Sequence, residues 1–114
     1  YATLSVSNMN YSISGYSLND VCGYTLKGKM LQQDIQVING CEDYNINNYT
    51  STKFKTVLHS NTGYNIIEEV ILLNDGNEMR SLSLRYEESI NNQTLHLMKE
   101  IVNTITIIKS ISID

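Results

Sequence analysis

Side chains able to do chemistry are few in this chain, and they are scattered. Two histidines, His59 and His96, accompany the acidic pairs Glu68-Glu69 and Glu87-Glu88 and the arginines Arg80 and Arg85. Histidine titrates near neutrality, so these types together could form the acid–base set of a small secreted hydrolase such as a ribonuclease. The spacing argues against it. His59 ends an alternating segment, whereas His96 lies between Leu95 and Leu97 on a helical pattern, the setting of a half-buried helix residue. Neighbouring strand residues point to opposite faces, so neither glutamate pair can share a proton as a catalytic dyad. One member of each pair is expected to face solvent and the other to pair with Lys or Arg across a sheet. No catalytic residue is assigned, and the chain is not expected to be an enzyme.

Metal and cofactor chemistry fare no better. Asp75-Gly76-Asn77-Glu78 lacks the alternating ligands and the distant bidentate glutamate of a calcium loop, and a hairpin turn explains it. The sequence contains no nucleophile elbow, zinc-protease motif, phosphate loop or dinucleotide fingerprint. Neither a metal nor a cofactor is expected. The sequons at Asn10, Asn48 and Asn92 occur at about the chance frequency and imply no glycosylation.

The two cysteines carry more information. Cys22-Gly23 and Gly40-Cys41 each adjoin a turn-like stretch, Leu18-Asn19-Asp20 and Asn39-Gly40. No CxxC or histidine cluster accompanies them, so a zinc site is not indicated. A single disulfide between Cys22 and Cys41 is expected, which places the chain in an oxidising compartment. The chain begins at Tyr1 rather than Met, as a processed chain does after removal of a signal peptide. The expected location is periplasmic or secreted.

Composition bounds the rest. A length of 114 residues with a 41% hydrophobic fraction fits one domain, 1–114, with its own core. The net charge of −4 and the dispersed lysines and arginines argue against nucleic acid as a partner. No run reaches the roughly 18 apolar residues of a membrane span.

Seven elements would position these residues. Strand-type alternation runs through 3–13, with a parity change near Ser7-Asn8 that implies a bulge. A second strand is expected over 24–37, a third over 53–59 and a fourth over 64–73. The fourth is apolar on both faces apart from Glu68-Glu69, the pattern of a covered central strand. Asn74-Asp75-Gly76-Asn77 then signals a hairpin into a fifth strand, where Leu82, Leu84 and Tyr86 alternate with polar residues. Leu95, Met98, Val102 and Ile105 repeat at helical spacing behind a capping Asn91 or Asn92. The preferred reading is a helix over 92–103 and a last strand over 104–113, where β-branched residues crowd; continuation of the helix is the alternative. The expected fold is α+β: a twisted antiparallel sheet of five to six strands, one C-terminal-half helix packed on a face, and a single disulfide.

One segment departs from core and strand composition. Residues 39–52 read as a long loop anchored at Cys41, carrying Glu42, Asp43, Tyr44, Asn47 and Tyr49. Tyrosine offers wide contact area at low entropy cost, and Asn, Ser and Thr offer adaptable hydrogen bonds, the palette of binding surfaces. These five residues are the candidate partner-binding set, and their acidity suits a protein with a basic cleft. The run of strands followed by a helix, Leu95 to Ile105, resembles in outline many small bacterial periplasmic proteins. Among them are inhibitors and immunity proteins that block cell-wall-degrading toxins. That outline implies a non-enzymatic inhibitor or immunity protein. The alternative is a surface or pilus-like subunit that assembles through its terminal strands, with a homodimer among the options.

Overall fold

In a computed structural model, the described residues are 2–8, 17–46, 49–74 and 79–111, with side chains at Thr3 and over 17–46, 49–74 and 79–102. The elements are β1 (Ala2–Asn8), α1 (Leu18–Met30), β2 (Ile35–Ile46), β3 (Tyr49–His59), β4 (Asn65–Asn74), β5 (Met79–Glu87) and α2 (Asn92–Ile111). β2 to β5 form an antiparallel meander, and β1 pairs antiparallel with the outer side of β5. The resulting order is β1-β5-β4-β3-β2. The α+β character, the antiparallel sheet, the helix packed on it and the disulfide are therefore present. The assignment of elements to segments differs in three places.

First, the strand expected over 24–37 is mostly helix. Ser17 caps α1, its hydroxyl accepting the N–H of Asp20 at 3.1 Å, and the acidic Asp20 suits the positive helix start. Lys27 and Lys29 occupy the last turn, where cations are favoured. Leu18, Val21, Cys22 and Leu26 fall at i, i+3, i+4 and i+8, one face of a helix, and that face meets the sheet. The stretch Gln32-Gln33-Asp34 is the turn from α1 into β2.

Second, residues 39–46 and 49–52 are strand, not loop. They form the distal half of the β2–β3 hairpin, whose last described pair is Ile46↔Tyr49. Polar side chains filled this stretch because β2 is an edge strand, exposed over most of its length. Third, the terminal strand expected over 104–113 is absent, because α2 continues to Ile111. The helix start was placed well: Asn91 Oδ1 accepts the N–H of Gln93 at 2.7 Å. The bulge expected near Ser7-Asn8 is not found: β1 keeps an even register through Ser7↔Ser81 and Asn8↔Arg80, and the rest of the expected strand lies outside the described residues. The turn at 75–77 also lies outside them, although its flanks pair as Asn74↔Met79.

The two helices cover opposite faces of the sheet. On one face, Val21 and Cys22 of α1 pack with Phe54, Val70, Leu72 and Met79. On the other, Val102 of α2 joins Ile46, Leu73 and Leu82, while Leu95 and Met98 pack against Val57, Ile67, Leu84 and Tyr86. Burial of both faces explains why β4 reads as continuously apolar.

Candidate functional site

The β2–β3 hairpin carries the residues singled out by composition. Its register slips twice, between Val37 and Asn39 and between Asn39 and Glu42. Each slip inserts one residue, so the two cancel in parity and the strand continues on its original faces beyond them. Cys41 lies in this irregular stretch and is bonded to Cys22 of α1, with the Cα atoms 6.2 Å apart. The disulfide therefore fastens the bulged edge strand to the helix beneath it. Cys22 itself is fully buried in the helix–sheet core.

Beyond the bulges, Glu42 pairs with Lys53, Asp43 with Thr52 and Tyr44 with Ser51. Alternation sends Glu42 and Tyr44 toward the α2 side and Asp43 toward the α1 side. All three are exposed. Tyr49 is half-buried and packs against the cluster of Ile46, Leu73, Leu82 and Val102, which makes it a support of the hairpin more than a contact surface. Asn47 lies outside the described residues. The structure thus brings three of the five candidates onto one short strand segment and separates Tyr49 from them.

A residue that composition did not single out links this segment to the interior. The Lys53 ammonium lies 4.6 Å from the centroid of the Tyr44 ring, a cation–π contact. The same ammonium is 4.0 Å from Glu69 Oε1. Glu69 is buried on the α2 side, where it accepts the Tyr86 hydroxyl at 2.6 Å and faces Lys99 Nζ at 3.5 Å. Burial, then the hydrogen bond to Glu69 and its charge, push the Tyr86 hydroxyl pKa upward. Tyr44, Lys53, Glu69, Ile71, Lys99 and Val102 line a small cleft of about 60 Å³. Only register could have revealed it, since its charges come from β3, β4 and α2.

On the α1 side the neighbouring Glu68 is also buried. Its carboxylate accepts Ser83 Oγ at 2.7 Å and Arg85 Nε at 2.8 Å, and meets Lys29 Nζ at 2.8 Å. Burial pushes this carboxyl up, but the hydrogen bonds from Lys29, Arg85 and Ser83 outweigh it and hold it below the usual glutamate value. The opposite-face geometry of Glu68 and Glu69 was legible from alternation. The solvent-facing member was not correct: α1 covers the second face, so both carboxylates are buried.

The histidines sit in separate hydrogen-bonded settings. His59 Nε2 is 2.8 Å from Gln36 Oε1 and its Nδ1 is 3.1 Å from Asn65 Oδ1. His96 Nε2 is 3.0 Å from Glu100 Oε1 one turn along α2. The His96 side chain is 74% exposed, which corrects the half-buried reading. Among the described residues no group of His, Cys, Asp and Glu is arranged to hold a metal ion.

Fold and site define a class, a disulfide-stapled helix–sheet–helix domain with an acidic edge strand. No family profile matches the chain, and no curated protein is similar to it in sequence. No described helix is long and apolar enough to cross a membrane.

Proposed function

We propose that this chain is a non-enzymatic periplasmic or secreted protein that binds and blocks another protein, as an inhibitor or immunity protein does. One observation carries the reading: Glu42, Asp43 and Tyr44 are presented, exposed, on an edge strand that a disulfide ties to α1. A staple at the base of a binding segment lowers the ordering cost of association. The disulfide also suits an oxidising compartment. The acidic pair with an adjacent aromatic suits a basic cleft, with Tyr44 as anchor and the carboxylates as steering charges. Tyr49 serves by holding the hairpin, not by touching the partner.

Of the two donors of the subunit alternative, the Ile-rich C-terminal strand falls away because residues 105–111 belong to α2, while the N-terminal strand β1 remains at the other end of the sheet. Affinity capture from extracts of the source organism and its competitors supplies the test. A protein retained by the native chain but lost with the triple variant Glu42→Ala, Asp43→Ala, Tyr44→Ala supports the reading. Equal retention by both sinks the site assignment.

A further inference from the structure

β2 is the last strand of the sheet, and among the described residues nothing pairs with its outer side. An open edge offers unpaired backbone N–H and C=O groups to an extended peptide. Here the edge is cut into pieces. The two slips at 37–42 disrupt the ladder, which leaves Glu42–Ile46 as a regular five-residue stretch.

Which backbone groups of that stretch face outward follows from the hairpin. Tyr44 pairs with Ser51, and its carbonyl accepts the Ser51 hydroxyl at 2.9 Å, so the Tyr44 backbone faces β3. Inward-facing and outward-facing residues alternate along the ladder, so Ile46 and Glu42 turn their backbone toward β3 as well. Asp43 and Asn45 therefore turn their N–H and C=O groups away from the sheet.

We propose that Glu42–Ile46 takes up an extended segment of the protein partner as an added antiparallel strand carrying two adjacent basic residues. The inference rests on the binding function proposed above and assigns its mode. Residues opposite Glu42 and Asp43 on an added strand are sequence neighbours, and opposite charges directly across a pair are favourable. The residue opposite Tyr44 precedes them and is aromatic or aliphatic. In N-to-C order the partner reads apolar, basic, basic. A second copy of this chain is a poor occupant: pairing β2 with itself about Tyr44 would set Asp43 opposite Asn45 and Glu42 opposite Ile46, which offers neither carboxylate a cation.

The test uses the full disulfide-bonded chain and a capped peptide, Thr-Val-Tyr-Lys-Lys-Val-Thr. Its first lysine falls opposite Asp43 and must donate its N–H; its second falls opposite Glu42, and its N–H points away. Titration followed by amide shifts and hydrogen exchange should show protection at Asp43 and Asn45. N-methylation of the first lysine should weaken binding by roughly tenfold or more, and that of the second should have little effect. Equal effects of the two methylations, no detectable binding, or a β2-paired homodimer in light scattering overturns the proposal. Asn45→Pro removes an outward N–H without touching the β3 ladder, and a retained melting temperature verifies its fold. If Asn45→Pro keeps the captured partner while the triple alanine variant loses it, strand addition is wrong and the binding function stands.

Discussion

Glu68 and Glu69 are adjacent in β4, yet their carboxylates lie on opposite faces of the sheet and engage lysines from different helices. Glu68 meets Lys29 of α1 at 2.8 Å, and Glu69 faces Lys99 of α2 at 3.5 Å. Both residues are buried. The central strand thus carries one buried carboxylate into each helix–sheet layer, and the cations of that layer lose their partner if its glutamate is altered.

Glu68→Gln should lower stability by about 1–2 kcal/mol, because a partly exposed Lys29 and Arg85 lose the acceptor that compensates them. Because the folded carboxyl lies below its usual value of 4.5, the unfolded chain binds more protons as acid is added. The contribution is complete above the unfolded value and is lost as pH falls through the folded one. Urea midpoints measured from pH 7 down to pH 3 should show a steeper acid loss for the native chain than for Glu68→Gln. Parallel curves would dismiss this account.

Tyr86→Phe leaves Glu69 without its shortest hydrogen bond while keeping the ring in the α2-side core. The expected cost is about 1–2 kcal/mol, measured by chemical denaturation. A double-mutant cycle with Glu69→Gln should give a coupling on the order of 1 kcal/mol, and additivity would show that the bond contributes nothing.

Reduction of Cys22–Cys41, or its replacement by Ala at both positions, should lower stability by about 3 kcal/mol through the loss of a closed loop. The comparison is a pair of thermal melts with and without reductant. The β2 amides near Cys41 should lose exchange protection first, since bulged edge strands depend most on the tie to α1.

Gly63 turns β3 into β4 with a φ of +87°, a conformation that costs any residue with a side chain. Gly63→Ala should destabilise by about 1 kcal/mol even though open space surrounds its Cα. A neutral effect in urea titration would mean the turn relaxes.

The sequence alone determined whatever rests on local pattern. Alternation at Leu82, Leu84 and Tyr86, the apolar run of β4, the Asn91 cap and the cysteine pair were each legible, because each reports on neighbours within a few positions. Missed elements were those in which tertiary contacts outweigh local preference. α1 carries two glycines and only weak amphipathicity, so its identity rests on docking Val21 and Cys22 against Phe54, together with the Ser17 cap that could have been read. β-branched residues at 104–111 favour strand in isolation, yet they continue a helix already nucleated and packed through Leu95, Met98 and Val102. Residues 39–46 look like part of a loop because an edge strand exposes its side chains, and only pairing with β3 makes them a strand. The same holds for the site. Composition placed Glu42, Asp43 and Tyr44 on the surface, but the sheet order decided that they lie on an open edge, with Lys53 connecting Tyr44 to Glu69 in the core.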